Sequence, residues 1–204
     1  MVGKGRHNYH EESEASINKQ INMELNAHYQ YLALAAYYDQ DDMALKGFAK
    51  LFKEFAEEEH EHAWKLIKYQ NVRGGINKQI NMELNAHYQY LALVNVKTYI
   101  DIFLWIFKKC CITPLFRLPI MIKMTTTLAA IEFVLDLEKQ VNQSLLDLHK
   151  VASDHNDPHL TNYLEEEFLT EQVESINKLS KHHTNLQRVG DGLGIFVFDK
   201  ELQS

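Results

Sequence analysis

The sequence contains few of the residues that interrupt helices or cross-link chains. Its 204 residues include three prolines, eight glycines and two cysteines. Because proline and glycine are the main helix breakers, their scarcity leaves room for long uninterrupted helices. The cysteines, Cys110 and Cys111, are neighbours, and adjacent cysteines bridge only in a strained ring. We therefore expect two free thiols, a reducing compartment and a cytoplasmic location.

Basic charge and long apolar runs are also scarce. The formal net charge of −7 argues against a nucleic-acid partner, which usually requires a basic surface. The longest purely apolar run, residues 102–107, falls far short of the ~20 residues of a membrane-spanning helix. The N-terminus also lacks the apolar stretch of a secretory signal. We expect neither nucleic acid nor membrane as a partner, and the length suits one domain, 1–204.

An internal repeat and a compositionally foreign segment interrupt this domain. Residues 17–34 recur without one change at 76–93. Solenoid repeats diverge and come in threes or more, so a single identical pair indicates a recent exon duplication or an error of sequence assembly. Residues 94–127 then hold both cysteines, two of the three prolines and a single acid, without sustained helical or strand periodicity. We therefore treat 76–127 as an anomalous insert and assign it no structure.

Outside the insert, apolar positions repeat with the period of a helix. Residues 39–42, Asp-Gln-Asp-Asp, offer an N-cap for a second helix, which Gly74 and Gly75 end. Asp157 and Pro158 form a further helix start. The predicted fold class is all-α: an antiparallel four-helix bundle with a long crossover between its second and third helices and a short fifth C-terminal helix. The helices are expected at about 12–38, 43–72, 128–152, 158–188 and 195–202.

Polar residues interrupt the apolar stripes of the four long helices at middle height. In the second helix, the stripe formed by Phe48, Phe52 and Phe55 continues as Glu59 and His62. An isolated buried carboxylate costs several kcal/mol or takes up a proton, so one such residue would be assigned to a boundary position or a salt bridge. Four helices with inward polar residues require another explanation. The other three helices contribute one residue each: Glu24, Glu138 and Gln172.

A bound cation is the simplest way to keep several buried carboxylates ionised together. Oxygen ligands with one imidazole suit Fe(II), Mn(II) or Zn(II). The spacing Glu59-x-x-His62 is also the signature of di-iron carboxylate bundles. Nearby polar residues have plainer interpretations. We expect His28 to be a packed histidine, and Glu57 and Glu61 to belong to a solvated face.

These residues lie in stretches that resemble ferritin, specifically its catalytic heavy-chain type. The resemblance covers roughly 8–75 and 128–203, and includes the run Glu58-Glu59-His60-Glu61-His62-Ala63. It implies a single ferritin-like di-iron domain in a homo- or hetero-oligomeric cage of 24 subunits. Such a cage stores iron: it oxidises Fe(II) with dioxygen or peroxide, a ferroxidase activity, and deposits a ferric mineral inside. Further matching stretches are 8–10, 21–25, 70–75, 137–146, 156–160, 171–173 and 198–200.

The resemblance also implies roles for individual residues. The first iron would bind to Glu24, Glu59 and His62. The second would share Glu59 and add Glu138, with Glu58 and Gln172 nearby. Tyr31 would be the hydrogen-bonding, redox-active neighbour. The complete implied set of catalytic and metal-binding residues is Glu24, Tyr31, Glu58, Glu59, His62, Glu138 and Gln172.

Some positions depart from the ferritin pattern. Trp64 stands where the family often has an inner-surface carboxylate, which predicts weaker mineral nucleation. Asn162 and Glu165 match the family's paired acids at the three-fold channel, and the first is neutral here. The second repeat copy could compete for the place of the first, with Glu83 and Tyr90 as its site residues. We expect the first copy to dock, because a short turn holds it beside the second helix.

Two other functions compete with catalytic iron storage. A non-catalytic or assembly-defective ferritin subunit, produced by aberrant splicing or a gene-model error, would keep the ligands while the insert blocks assembly. A di-iron oxygenase or peroxidase of the same fold would need a second Glu-x-x-His motif on the fourth helix. Residues 171–174 read Glu-Gln-Val-Glu instead, which disfavours that reading.

Overall fold

The structure is a computed structural model that describes residues 4–75 and 126–203. Within these residues it contains helices and no strand, which confirms the all-α prediction. None of the helices that they form combines the length and apolar character needed to cross a lipid bilayer. In chain order the elements are α1 (Glu11–Tyr38), α2 (Lys46–Val72), α3 (Thr127–Asp154), α4 (Pro158–Leu164), a π-helical turn (Glu165–Leu169), α5 (Thr170–Val189) and α6 (Leu193–Gln203).

The long helices pack as two antiparallel pairs. In the first pair, Gln70 near the end of α2 donates to the carbonyl of Glu14 near the start of α1, at 3.1 Å. In the second pair, His149 near the end of α3 contacts Glu165, which lies just after α4. Tyr31 of α1 donates to Glu138 of α3 and joins the pairs. The bundle is thus the predicted one, with α6 as the short fifth helix.

An aromatic cluster fills the core between α1 and α2. Phe48, Phe52 and Phe55 lie one turn apart on α2 and are at most 2% exposed, as the apolar stripe predicts. Tyr38 stacks on Phe48 with 5.3 Å between ring centroids, and Tyr31 stacks on Phe55 at the same separation. Burying each ring stabilises the bundle by roughly 1.5–3 kcal/mol. The aromatic cluster therefore packs directly below Glu59 and His62, which follow Phe55 on the same face of α2.

The first copy of the repeat lies in α1. Residues 17–34 fall within that helix, which packs along α2 as predicted for the copy held by the short turn. Glu83 and Tyr90 of the second copy lie outside the described residues, as does the predicted insert except for Thr126 and Thr127.

The start of α2 differs from the sequence prediction. The helix begins at Lys46 rather than near 43, and its N-cap, Leu45, has no side-chain capping bond. Asp199 of α6 supplies the cap instead: its Oδ1 accepts from the backbone amides of Gly47 at 2.6 Å and Phe48 at 3.1 Å. The prediction that residues 39–42 cap α2 was therefore wrong. A short loop offered several acids, but the carboxylate that reaches the helix end comes from the other end of the chain.

The sequence predicts one uniform fourth long helix at about 158–188, but the structure interrupts this helix. A π-helical turn, Glu165–Leu169, separates α4 from α5. Asp157 caps α4 as expected, because its Oδ1 accepts from the amide of Leu160 at 3.1 Å, and Pro158 occupies the first turn. Arg73 at the end of α2 also donates to both carboxylate oxygens of Asp157, at 3.1 and 2.8 Å. The turn before α4 is thereby fixed to the first helix pair.

The cap at Asp199 can be tested by its removal. Asp199→Ala leaves two buried amides of α2 without an acceptor, and we expect the free energy of unfolding to fall by about 2 kcal/mol or more. The matched control is Asp42→Ala, which removes an exposed acid from the loop that the sequence favoured and should change stability by less than about 0.5 kcal/mol. Urea denaturation of both variants measures the difference. Equal losses in the two variants would contradict the assignment.

Candidate metal centre

Polar side chains from all four long helices meet in the middle of the bundle. Each is nearly inaccessible to solvent, with an exposed fraction of at most 4%. Each also lies where an apolar residue would continue its helix's buried stripe, as the sequence predicted. The residues are Glu24 of α1, Glu59 and His62 of α2, Glu138 of α3 and Gln172 of α5.

Three of them are grouped closely enough to share one metal ion. Glu24, Glu59 and His62 each offer a ligand atom, and these atoms all lie within 4.8 Å of one another. His62 Nδ1 is 3.7 Å from Glu59 Oε2. Gln20 donates to Glu24 Oε1 at 2.7 Å and orients that carboxylate. Gln20 was not predicted from the sequence, although its position one turn before Glu24 on the same face of α1 could have indicated it.

Glu138 is held beside this group by two donors. The hydroxyl of Tyr31 donates to its Oε1, and the amide of Gln172 donates to its Oε2 at 3.1 Å. The Glu59 carboxyl group is a neighbour of Glu24 and Glu138, and interactions with both affect its pKa. Glu59 therefore lies between two sets of ligands, one with His62 and one with Glu138.

Glu171 is a neighbour of the centre that the sequence analysis missed. His62 Nε2–H donates to Glu171 Oε2 at 3.1 Å, which leaves the lone pair of His62 on Nδ1, the nitrogen nearer Glu59. A second carboxylate that fixes the tautomer of a histidine is the usual companion of a metal-ligating imidazole. The Glu171 side chain is 41% exposed, so the apolar stripe of the fourth long helix does not include it and gave no signal for it.

Glu58 lies at the rim rather than in the centre. It is partly exposed, and burial raises the pKa of its carboxyl group while the charge of Lys178 opposes that rise. The ammonium group of Lys178 lies 5.0 Å from the centre of the Phe55 ring. Glu58 therefore occupies a position between the interior ligands and solvent.

Burial makes the charged forms of the interior carboxylates unfavourable. It raises the pKa of Glu24, Glu59 and Glu138 above the ordinary value of 4.5, and mutual repulsion raises those of Glu24 and Glu59 further. For His62, burial lowers the pKa, but the hydrogen bond to Glu171 and the charge of Glu24 outweigh it and raise the pKa overall. Without a cation these carboxyl groups therefore favour their protonated, neutral forms, and a bound cation would stabilise the ionised forms instead.

Several atoms of the group have no donor or acceptor among the described residues. They are Glu24 Oε2, Glu59 Oε2 and His62 Nδ1, all buried and within the three-residue group. Unsatisfied buried oxygen and nitrogen atoms are rare in folded proteins, since each carries a desolvation penalty. The three residues together offer two carboxylates and one imidazole, a donor set suited to Fe(II), Mn(II) or Zn(II).

The π-helical turn keeps Gln172 in register with the core. Leu160, Leu164, Phe168 and Gln172 are all buried and spaced by four residues. In an α-helix each such step rotates the side chain by about 40°, so three steps would carry Gln172 away from the core. The wider turn at Glu165–Leu169 compensates for this drift. π-helical turns of this kind are common at functional sites for the same reason.

A four-helix bundle with carboxylates and a histidine at its centre defines the class of carboxylate-type metal bundles. Comparison with known proteins gives the family within that class. The family model described as "Ferritin-like domain" matches residues 14–76 and 115–189. Soma ferritin of Lymnaea stagnalis is 48% identical over 203 residues, covering 100% of this chain and 97% of its own. The chloroplastic ferritin of Malus baccata var. xiaojinensis is 44% identical over 202 residues, covering 99% of this chain and 69% of its own. The chain belongs to the ferritin family.

The raised pKa of Glu24 predicts a pH-dependent effect of Glu24→Gln in metal-free protein. Well below pH 4.5 Glu24 is protonated in both the folded and the unfolded protein, and a neutral glutamine should stabilise the fold about equally well. As the pH rises, the unfolded chain ionises first, so wild-type protein loses stability relative to the variant. We expect the variant's advantage to grow as the pH rises above 4.5 in urea unfolding with chelator present.

The control for this titration is Glu61→Gln, which removes an exposed carboxylate from the same region of α2. A Glu24→Gln variant that is less stable than wild type at pH 8 would show that the carboxylate is not held at an electrostatic cost in the folded protein.

Proposed function

We propose that this protein stores iron by oxidising Fe(II) to Fe(III) at the centre between its helices. Iron is the substrate, dioxygen or peroxide is the oxidant, and a ferric mineral is deposited inside a cage of 24 subunits in the cytoplasm. The observation that carries the proposal is the grouping of Glu24, Glu59 and His62 within 4.8 Å of one another, with unsatisfied ligand atoms. Membership of the ferritin family supports storage as the purpose of this chemistry.

Two iron ions can be assigned to the centre. The first binds to Glu24, Glu59 and His62, and the second shares Glu59 and adds Glu138, with Glu58 and Gln172 at its side. Bridging by Glu59 brings both ions within reach of one oxidant molecule, so that each Fe(II) gives up one electron. Dioxygen accepts two electrons and two protons and leaves as hydrogen peroxide.

The two iron positions differ in the affinity expected for the ion. The first has the only imidazole of the five interior ligands, and Glu171 holds its orientation at 3.1 Å. The second has Gln172, which is neutral and donates to Glu138 rather than offering a charge. A weakly held ferric ion can move on to a mineral, as a store requires. Tyr31 donates to Glu138, and in this proposal it is the hydrogen-bonding, redox-active neighbour of the second position.

A non-catalytic or assembly-defective subunit is the second candidate. The family match is interrupted between residues 76 and 115, within the region that the sequence analysis treats as an insert. An insert there would leave the interior ligands intact and affect contacts between subunits. The two candidates therefore differ in assembly as well as in chemistry. Cytoplasmic location is supported by the two adjacent cysteines, whereas the plant relative's name refers to the chloroplast.

The proposal is tested with full-length recombinant protein. Stopped-flow absorbance measures Fe(II) oxidation, and size-exclusion chromatography with light scattering measures assembly. We expect a 24-subunit particle whose initial oxidation rate falls at least tenfold in Glu59→Ala, because both irons lose a ligand. Glu57→Ala, which changes an exposed glutamate two residues earlier, is the matched control and should retain the wild-type rate.

Two results would count against the proposal. A monomer that does not oxidise Fe(II) would favour the assembly-defective subunit. A particle in which Glu59→Ala and Glu57→Ala oxidise Fe(II) at the same rate as wild type would place the chemistry elsewhere.

A further inference from the structure

A second group of metal-ligating side chains lies on the surface, apart from the interior centre. His10 is the N-cap of α1, Glu12 lies in its first turn, and His155 follows the last residue of α3. Each offers one ligand atom, and these atoms all lie within 4.8 Å of one another. Two imidazoles and a carboxylate, from two distant parts of the chain, therefore meet at one point. None of these three residues belongs to the proposed iron-oxidation centre.

We propose that His10, Glu12 and His155 bind a divalent transition-metal ion, for which Zn(II) is the probe. Imidazole nitrogens favour zinc, copper, nickel and iron, whereas calcium and magnesium prefer sites made of oxygen alone. Three protein ligands leave a fourth tetrahedral position for water on the exposed side. This site does not depend on iron oxidation in the interior, so either proposal can fail without the other.

The hydrogen bond between His155 and Glu12 marks the position of the ion. His155 Nε2–H donates to Glu12 Oε2 at 2.8 Å. Two ligands of a tetrahedral Zn(II), bound at about 2.0–2.2 Å, lie roughly 3.3 Å apart. Replacing the shared proton by the ion therefore requires the two atoms to separate by only about 0.5 Å. The Glu12 side chain is 70% exposed and is free to make that movement.

The His10 ring is already held next to His155. The two rings stack with 3.4 Å between centroids and 15° between planes. His10 Nδ1 accepts from the backbone amide of Glu12 at 3.2 Å, which uses the one lone pair of a neutral imidazole. An ion bound by both rings lies in the plane of each, so the His10 ring tilts out of the stack and its lone pair passes from the amide to the ion. The amide, in the exposed first turn of the helix, can then bond to water.

The turn that carries His155 is rigid enough to form a site. The backbone amide of His155 donates to the carbonyl of Val151 at 3.2 Å. Two residues later, Asp157 is 3% exposed and is held by both guanidinium nitrogens of Arg73. Asn156 between them adopts a φ of 52°, a left-handed conformation that reverses the chain. His155 thus stands on a fixed turn, whereas His10 and Glu12 have to adjust: the His10 ring turns out of the stack and releases the Glu12 amide, and the Glu12 carboxylate moves by about 0.5 Å.

The test measures Zn(II) binding to full-length protein in a background that lacks the interior ligands. The background variant is Glu59→Ala with His62→Ala, and isothermal titration calorimetry gives the number of sites and their affinity. We expect one Zn(II) per subunit, with affinity at least tenfold lower when His155→Gln is added. The matched control is His183→Gln, which removes an imidazole paired with Glu132 at 3.0 Å and should leave binding unchanged.

Electron paramagnetic resonance with Cu(II) gives an independent readout. In the background variant we expect hyperfine coupling to two nitrogens, and to only one after His155→Gln. If His155→Gln does not fold, as judged by circular dichroism, Glu12→Gln takes its place and should weaken Zn(II) binding at least tenfold. The proposal is overturned if the background binds no Zn(II), if the substitution at the site leaves affinity unchanged, or if His183→Gln weakens it equally.

Discussion

The structure depends on the burial of several like charges at one height of a helical bundle. Glu24, Glu59 and Glu138 are each at most 2% exposed, and burial raises the pKa of all three. A bundle of this size would be more stable with apolar residues at these positions. The arrangement becomes favourable when cations occupy the space between the carboxylates. The metal-free protein is therefore expected to be less stable than protein with a cation bound at this centre.

The rest of the fold positions these charges. The aromatic cluster on α2 fixes the level at which Glu59 and His62 enter the core, and the antiparallel helix pairs bring α1 and α3 to the same level. The π-helical turn returns Gln172 to the core face. Asp199, on the last helix, caps the start of α2, so the C-terminal helix stabilises the element that carries two of the ligands. The centre lies in a chain of the ferritin family, and iron is the cation proposed for it.

Helix positions and inward ligands were predictable because both follow from a local period. Glu59 and His62 continue an apolar stripe of the same helix, and that relation is readable within a few turns. The Asp199 cap was not predictable, because its partners Gly47 and Phe48 lie about 150 residues away in sequence. The π-helical turn Glu165–Leu169 within the fourth long helix was also not predicted. Glu171 was missed because it follows that turn and is partly exposed, so no stripe includes it.

X-ray diffraction from crystals soaked anaerobically in Fe(II), with data collected at the iron absorption edge, tests the central claim most directly. The account predicts two anomalous peaks inside each subunit. One should be bounded by Glu24, Glu59 and His62, and the other should lie between Glu59 and Glu138. Iron found only on the surface, with the interior carboxylates bonded to one another through protons, would contradict it.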